Sequence, residues 1–396
     1  MHKPAALLTV ASLARYAGQI SVLLVVSALG TPALVGTLTL SLALTAPGFI
    51  LLGLGMRTLV LTHRASHPLR TYLALRAGSA VLAILVSCIV LVLALGPDWG
   101  VAGAGVIALK IADYVLDLAT AWYQSQHRWR RLVTLSLAAA IATALGAVVA
   151  GALIGPEFAV LGAGSAVLVV ATAFGLIPLV QEGRADPRPR WGDVLALARA
   201  GIPLGISYGM VGLLVAVPQY FLAATDGVGA AGRFAVIFYL VTAAELLVNP
   251  ISQAWVQRTR ARLGLTGMTR RVLARETSIH VAVFAPVVVV GAVAGWFLIP
   301  IVFGDYFAPS ASEILAVSLC MLLMPAVYLG ASALAIANRY RSSLVVVIPA
   351  LVIVATASAV LTPSFGVAGA FAALAAGLVL RAAVPIALLP GIEEPS

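Results

Sequence analysis

The sequence is poor in charge and in cysteine, and each scarcity excludes a class of protein. Only 10% of the 396 residues are charged, against about 25% in typical soluble domains. The two cysteines, Cys88 and Cys320, lie in apolar runs, which favours small buried side chains over a disulfide or a metal site. None of the five histidines has a cysteine or acidic residue nearby at a recognised metal-ligand spacing. We therefore expect no metal and no cofactor, and we exclude a secreted disulfide scaffold.

Apolar residues dominate the chain instead. They make up 62% of it, and the mean hydropathy is +1.09. A soluble globule could not bury so much apolar surface, so the composition indicates an integral membrane protein with many spans. The net charge of +10 would suggest a nucleic-acid ligand in a soluble protein. In a membrane protein it indicates cytoplasmic loops and a polar interior, and we expect no nucleic-acid partner.

Twelve segments are long and apolar enough to span a membrane, which takes about 20 residues. The first is too long for the apolar core of a signal peptide, which runs about 7–15 residues, so we expect it to be a retained helix. The predicted spans are 5–29, 33–61, 70–95, 101–125, 131–154, 158–181, 194–224, 228–257, 276–302, 309–337, 342–361 and 366–389. These segments predict an all-α polytopic membrane protein with twelve transmembrane helices.

Basic residues are concentrated on alternate connections between the predicted spans. Of 24 Lys and Arg residues, 20 lie on or near one set of connections, which includes Arg64, Arg70, Arg128–Arg131, Arg184–Arg190, Arg258–Arg275, Arg339 and Arg341. The other set is short and contains none; its members lie near Asp98, Glu157, Asp226, Asp305 and Ser364. Because basic loops stay in the cytoplasm, this asymmetry predicts that both termini are cytoplasmic. The even number of spans agrees with that orientation.

A short motif recurs at the start of three predicted spans. Pro97–Ala104, Pro156–Ala163 and Pro363–Ala370 share the pattern proline, any residue, aromatic, small, valine, any residue, glycine, alanine. Proline suits a first helical turn, and small residues let helices pack closely. Chance similarity in a chain rich in glycine and alanine is the alternative. The repeat predicts two parallel six-helix lobes around a central cavity, residues 1–183 and 194–396, joined by a cytoplasmic linker at 184–193.

Seven of the charged residues inside predicted spans form an embedded set, at positions where an arginine facing lipid costs about 2.5–3.5 kcal/mol on insertion scales. Three of them, on the fourth span, fall within one arc of roughly 60° and form a polar stripe. We predict that these seven, together with Arg57 at the end of the second span, bind substrate: Arg15, Arg57, Lys110, Asp113, Asp117, Arg233, Glu245 and Arg381. The alternative is structural ion pairs, such as Arg15 with Asp113 or Asp117. Both Arg57 and Arg76 lie near cytoplasmic helix ends: Arg76 is predicted to snorkel, and Arg57 could either snorkel or guard an inner entrance.

Two prolines lie within a single predicted span directly after the linker. Proline kinks a helix and frees a backbone carbonyl. Pro203 and Pro218 are therefore the hinge candidates, although kinks in a bundle can also be purely architectural.

Several stretches resemble the bacterial oligosaccharide and polysaccharide flippases, also described as lipopolysaccharide/polysaccharide biosynthesis proteins. These stretches are Gly201–Ser207, Val217–Phe221, Gly232–Leu240, Leu54–Thr58 and the fourth span from Lys110 to Gln124. The family belongs to the multidrug/oligosaccharidyl-lipid/polysaccharide (MOP) exporter superfamily. The resemblance implies two six-helix lobes around a V-shaped cavity. Family members often have a basic residue where this chain has Gln219, so the sequence departs from the pattern there.

The resemblance implies a flippase of the bacterial inner membrane that works by alternating access in surface polysaccharide biosynthesis. Its substrate would be an undecaprenyl-diphosphate-linked oligosaccharide, and membrane lipid, a coupling ion and polysaccharide assembly proteins are further candidate partners. A drug/cation antiporter of the same superfamily is the related alternative, favoured by the embedded carboxylates. A membrane glycan polymerase or glycosyltransferase is the alternative of a different class. We expect no enzyme and no catalytic residues, because no nucleophile–base arrangement or nucleotide motif is present and the outer connections are short.

Overall fold

The computed structural model of the chain describes residues 2–62, 67–96, 100–263, 269–336 and 342–389. Some of the residues singled out above lie outside these ranges. They are Arg64, the predicted outer loop at Asp98 with the first residues of the Pro97–Ala104 motif, part of the Arg258–Arg275 connection, and Arg339 and Arg341.

The described residues form helices and contain no strand. The α-helices are α1 His2–Leu29, α2 Pro32–Leu52, α3 Met56–Thr62, α4 Leu69–Leu95, α5 Gly100–Ser125, α6 Trp129–Leu153, α7 Ala159–Val170, α8 Ile177–Gly183, α9 Trp191–Thr225, α10 Val228–Leu263, α11 Arg270–Phe303, α12 Ala311–Ile336 and α13 Ser342–Leu388. Short 3-10 turns at Pro156–Phe158 and Asp305–Phe307 precede α7 and α12, and a π-helical segment, Ala171–Leu176, joins α7 to α8.

Within the described ranges, ten helical segments are long and apolar enough to cross a membrane. One of them, α13, contains a non-helical residue at Gly366 (φ 54°, ψ −132°) and is long enough for two spans. A further helix, α5, has 26 residues but carries three charged side chains, which lower its hydropathy. With α5 and both halves of α13 counted, twelve segments have spanning length. The prediction of an all-α, multi-pass membrane fold is confirmed.

Two copies of the recurring motif lie in described residues, and both mark helix starts. Pro156 opens the 3-10 turn before α7, and Gly366 in the third copy is the break that divides α13. The small residues of the motif allow close packing, as predicted: a Cβ atom at Gly162 would clash with the Gly146 carbonyl oxygen of α6. A Cβ at Gly369 would clash with the Leu361 carbonyl oxygen. Neither position can accept a larger side chain without moving a backbone.

Backbone contacts divide the chain into two compact units, Met1–Gly212 and Leu213–Ser396. The division falls inside α9, beyond the predicted linker at 184–193. Close backbone packing holds the first part of α9 in the first unit: a Cβ at Gly201 would lie 2.8 Å from the Leu54 carbonyl oxygen. A Cβ at Gly209 would lie 2.7 Å from the Leu51 Cβ atom. The lobe boundaries drawn from the sequence stay a prediction.

Each unit has its own apolar core. In the first unit, buried side chains of α3, α4, α5 and α6, among them Met56, Leu69 and Leu132, form one cluster. In the second, the rings of Phe234 and Phe371 stack with their centroids 4.4 Å apart. The two cysteines are both free; Cys320 is buried and Cys88 is partly buried. The expectation of a small buried side chain is confirmed for Cys320.

Candidate functional site: charges embedded in each unit

Two cations of the first unit share one carboxylate. Arg15 Nη2, on α1, lies 3.9 Å from Asp113 Oδ1, and Lys110 Nζ lies 4.0 Å from Asp113 Oδ2. All three side chains are partly accessible, with 30% of Arg15, 19% of Lys110 and 33% of Asp113 exposed. The Arg15–Asp113 ion pair is one of those named as the alternative to substrate binding, and Lys110 pairs with Asp113 along α5. Since two positive charges meet one negative charge, this cluster has a positive excess.

The other carboxylate of the α5 stripe forms an ion pair with a different arginine. Asp117 Oδ2 lies 3.0 Å from Nη2 of Arg76, on α4. The Arg76 side chain is only 8% exposed. Its Nε donates to the Tyr114 carbonyl at 3.0 Å, and its guanidinium carbon lies 3.8 Å from the centroid of the Tyr114 ring. The snorkelling prediction for Arg76 is therefore wrong, because α5 supplies a charge, a carbonyl and an aromatic face that satisfy the guanidinium inside the unit.

The Arg57 side chain also contacts α5, and its hydrogen-bond acceptors there are neutral. Its Nη1 donates to Thr120 Oγ1 at 3.2 Å and its Nη2 donates to Gln124 Oε1 at 2.6 Å. A sharp break between α2 and α3 precedes it, with Leu54 at φ 54° and Gly55 at φ 57°. A positive φ is rare for leucine, so the surrounding packing has to maintain this break. The break starts α3 in a new direction and directs Arg57 toward α5.

In the second unit, Arg233 belongs to a structural network. Its Nη2 donates to Glu313 Oε2 at 2.8 Å and to the Ala308 carbonyl at 2.7 Å. Glu313 also accepts from the Ser310 backbone nitrogen at 2.6 Å, as a capping box does at the start of α12. Sequence reasoning missed Glu313, although the spacing Ser310-x-x-Glu313 is a sequence signature of that cap. Arg233 thus ties α10 to the start of α12.

A second charged cluster joins three helices of the second unit. The Tyr328 hydroxyl of α12 donates to Glu245 Oε1 of α10. Arg381, on α13, interacts electrostatically with both Tyr328 and Glu245. The sequence analysis selected Glu245 and Arg381 separately and missed Tyr328, since a tyrosine in an apolar span gives no pattern that marks it as a partner. The substrate-binding roles of Glu245 and Arg381 stay predictions.

Helix α9 carries the remaining residues discussed in the sequence analysis, Pro203, Pro218 and Gln219. Pro203 and Pro218 lie on either side of the division at Gly212, within a helix that runs from Trp191 to Thr225. Their role as hinges stays a prediction. Gln219 is buried and its Nε2 donates to the Ala231 carbonyl at 3.2 Å, so this amide is engaged with the backbone of α10.

In the described part of the chain, no group of three or more His, Cys, Asp or Glu residues could hold a metal ion.

Comparisons with known proteins were made by sequence and by structure. Neither protein-family models nor curated protein sequences match the chain. Solved structures do match: an inward-facing multidrug resistance MATE family transporter of the MOP superfamily has a TM-score of 0.64 at 13% identity, with 94% of this chain and 93% of that chain covered. A mutant of the Vibrio cholerae MATE transporter VcmN has a TM-score of 0.63 at 13% identity, covering 97% and 94%.

A third solved structure is a MOP superfamily transporter from Pyrococcus furiosus, described as having a binding pocket of reverse polarity that suggests a different function. Its TM-score is 0.62 at 14% identity, and the match covers 97% of this chain and 93% of that chain. These identities are low, but the likeness extends over nearly the full length of each protein. The chain therefore has the fold of these solved MOP superfamily transporters.

Proposed function

We propose that this protein is an alternating-access transporter that moves a lipid-diphosphate-linked oligosaccharide across the bacterial inner membrane for surface polysaccharide biosynthesis. It does so without covalent chemistry. The sugars cross along the polar path, and the lipid tail stays in the bilayer. An undecaprenyl-diphosphate-linked oligosaccharide is the proposed substrate. A coupling ion and polysaccharide assembly proteins are further candidate partners under this proposal.

The observation that carries the proposal is the single carboxylate shared by Arg15 and Lys110. The distances of 3.9 and 4.0 Å are at the long end for ion pairs, and both basic groups are partly accessible. A diphosphate offers several anionic oxygens, which a guanidinium fork and an ammonium bind strongly where water is scarce. Arg57, with two neutral hydrogen-bond acceptors, adds a further positive charge on the same side of α5. An anionic substrate therefore suits this unit better than a cationic one.

The second candidate function is a drug/cation antiporter. It is supported by the fold, which is shared with multidrug resistance MATE transporters, and by Glu245. That carboxylate accepts a hydrogen bond from Tyr328, and a protonatable carboxylate inside the membrane is a feature of proton-coupled transport. The antiporter requires that Glu245 or Asp113 binds the proton or the cation. The flippase requires instead that Arg15 and Lys110 bind an anion.

The two candidates can be separated in liposomes that contain the purified protein. A fluorescent undecaprenyl-diphosphate-linked disaccharide is supplied in one leaflet, and a membrane-impermeant quencher reports how much has crossed. We expect the wild-type protein to accelerate crossing over protein-free liposomes. Arg15→Gln and Lys110→Gln should each slow it by roughly tenfold or more, because each removes a charged hydrogen-bond donor.

The matched control is Arg130→Gln, which removes the same charge from an exposed position outside the cluster. Flipping by Arg130→Gln should equal that of the wild type. Normal flipping by both cluster variants at equal protein amounts would contradict the anion role. Proton-driven uptake of a cationic dye, with no movement of the glycolipid, would favour the antiporter.

A further inference from the structure

A basic cavity of about 350 Å³ lies in the first unit, away from the charged stripe of α5. It is lined by Arg70 and Leu73 of α4, Val180 of α8, and Arg184, Arg188 and Pro189 of the connection to α9. Its size is at the lower end of the range of about 300–1,000 Å³ found for ligand pockets. Three guanidinium groups and two aliphatic side chains therefore share one small cavity.

Hydrogen bonds hold the connection against α4, and one of them is donated by Arg70, which also lines the cavity. Asp186 Oδ2 accepts from the Leu69 backbone nitrogen at 2.7 Å, which caps the start of α4. The Asp186 carbonyl accepts from Arg70 Nη1 at 3.1 Å. Close packing of Gly183 on α4, where a Cβ would meet Arg70 Cγ at 3.4 Å, fixes the end of α8. The connection is thus anchored to α4 before any ligand binds.

The two acidic residues on either side of Arg184 are already engaged elsewhere. Glu182 lies 2.7 Å from Arg128 Nη1 and also accepts from the Trp122 ring nitrogen at 3.1 Å. Asp186 caps α4, as described. Among the residues that the structure describes, neither Arg184 nor Arg188 has a carboxylate within ion-pair distance, and both are exposed. Their positive charge remains available for an anion.

The apolar side of the cavity continues along the helix that leads to it. Phe174, Ile177 and Val180 are 64%, 48% and 41% exposed, and they precede Arg184 at spacings of three, three and four residues. Ile177 and Val180 lie three residues apart on α8, a spacing that brings side chains onto one side of a helix, and Phe174 lies in the preceding π-helical segment. Trp191, just beyond the cavity, is 79% exposed, and exposed tryptophans are enriched where a membrane meets water. The surface therefore changes from apolar on α8 to cationic at Arg184 and Arg188.

We propose that this cavity binds an anionic phospholipid, with the headgroup phosphate between Arg70, Arg184 and Arg188 and an acyl chain along Phe174, Ile177 and Val180. Basic pockets between membrane helices bind anionic headgroups in this way. The site is separate from the proposed substrate path. It needs neither the Arg15–Asp113–Lys110 cluster nor any particular transported molecule.

The test measures lipid binding to the full-length protein in detergent. Dioleoyl-phosphatidylglycerol is titrated, and native mass spectrometry counts the lipids bound per protein. Dioleoyl-phosphatidylcholine has the same acyl chains but no net charge, so it tests whether binding needs a net negative charge. Glycerol phosphate has the phosphate but no acyl chains, so it tests whether binding needs the chains. We expect one saturable phosphatidylglycerol site and at least roughly tenfold weaker binding of the other two ligands. Equal binding of both lipids, or of glycerol phosphate and phosphatidylglycerol, would overturn the proposal.

The cavity variant is the double substitution Arg184→Gln/Arg188→Gln, and the matched control is Arg130→Gln/Arg131→Gln, which removes the same charge from two other exposed arginines. The cavity variant should bind phosphatidylglycerol at least roughly tenfold more weakly, since two charged donors to phosphate are lost. Arg184→Lys/Arg188→Lys should keep most of the binding. Unchanged affinity in the cavity variant, or equal losses in cavity variant and control, would contradict the assignment.

A further variant tests the acyl chain separately. Val180→Asn places a polar amide in the aliphatic wall without changing charge. It should weaken phosphatidylglycerol binding and leave the weak glycerol phosphate binding unchanged. Thermal unfolding without added lipid is measured for every variant, and only variants that melt within a few degrees of the wild type are compared. Undiminished phosphatidylglycerol binding by Val180→Asn would overturn the acyl-chain part of the proposal.

Discussion

Arg76 and Asp117 form an ion pair that joins α4 to α5, with Nη2 and Oδ2 3.0 Å apart and the arginine side chain only 8% exposed. The same guanidinium donates to the carbonyl oxygens of Tyr114 and Gly53. Gly53 is the last residue before the break between α2 and α3, so Arg76 stabilises both the α4–α5 contact and the end of α2. Its role in the first unit is structural, whereas the partly exposed Arg15 and Lys110 are the candidates for binding.

Replacing Arg76 by glutamine should lower stability strongly. Removing one partner of a buried ion pair costs about 3–5 kcal/mol, because the other charge is left without compensation. Asp117 is 29% exposed, so we expect a loss near the lower end, about 3 kcal/mol. The measurement is thermal unfolding of the purified protein in detergent, together with its abundance in the membrane. The control is Arg128→Gln in the more exposed Arg128–Glu182 pair, where about 0–1 kcal/mol is expected. Equal losses would contradict a structural role specific to Arg76.

Replacing Asp113 by asparagine should distinguish an anion site from a cation site. The change removes the carboxylate shared by Arg15 and Lys110. The carboxylate then no longer competes with a diphosphate for the two basic groups. The affinity for a diphosphate should therefore rise and depend more steeply on salt. The measurement is the Kd of a water-soluble diphosphate-linked sugar analogue. Glu157→Gln, an equivalent charge change at an exposed turn, is the control. Weaker diphosphate binding together with loss of cation transport would support the antiporter instead.

Replacing Gly205 by alanine should destabilise the contact between α9 and the end of α2. A Cβ atom there would clash with the Leu51 carbonyl oxygen, and forcing extra volume into a packed contact typically costs about 1–3 kcal/mol. Gly78→Ala on α4 is the matched control, because a Cβ there meets nothing within 4 Å. In that exposed helical position alanine should be neutral or stabilise by up to about 1 kcal/mol. Thermal unfolding compares the two, and a neutral Gly205→Ala would rule out the close backbone packing.

The orientation in the membrane can be tested with single cysteines in a background where Cys88 and Cys320 are replaced by alanine. The substitutions are Asp226→Cys, in the turn between α9 and α10, and Arg130→Cys, in the first turn of α6; both positions are exposed. If basic connections are cytoplasmic, a membrane-impermeant thiol reagent added to intact cells should label position 226 and not position 130. Permeabilised cells should label both. Labelling of position 130 alone in intact cells would show the opposite orientation.

The sequence alone determined the class of fold. Hydropathy and span length need no tertiary information, because a helix in lipid must satisfy its own backbone and present apolar side chains. The same reasoning found the helix starts at Pro156 and near Gly366, the single polar stripe on α5, and its contact with Arg15. These features follow from local geometry, from the cost of burying a charge, and from the small number of charges available to pair.

Only the tertiary structure decided which charges are structural. Arg57 and Arg76 looked alike in the sequence, each near a helix end, yet one has neutral partners and the other is buried against Asp117 and Tyr114. The pairing of Glu245 with Tyr328 joins residues 83 positions apart. Likewise, the basic cavity needs Arg70 of α4 to lie near Arg184 and Arg188 of the connection between α8 and α9. The physical reason is that an ionic or hydrogen-bonded contact depends on distances of a few ångströms between groups whose separation along the chain is arbitrary, and packing alone fixes those distances.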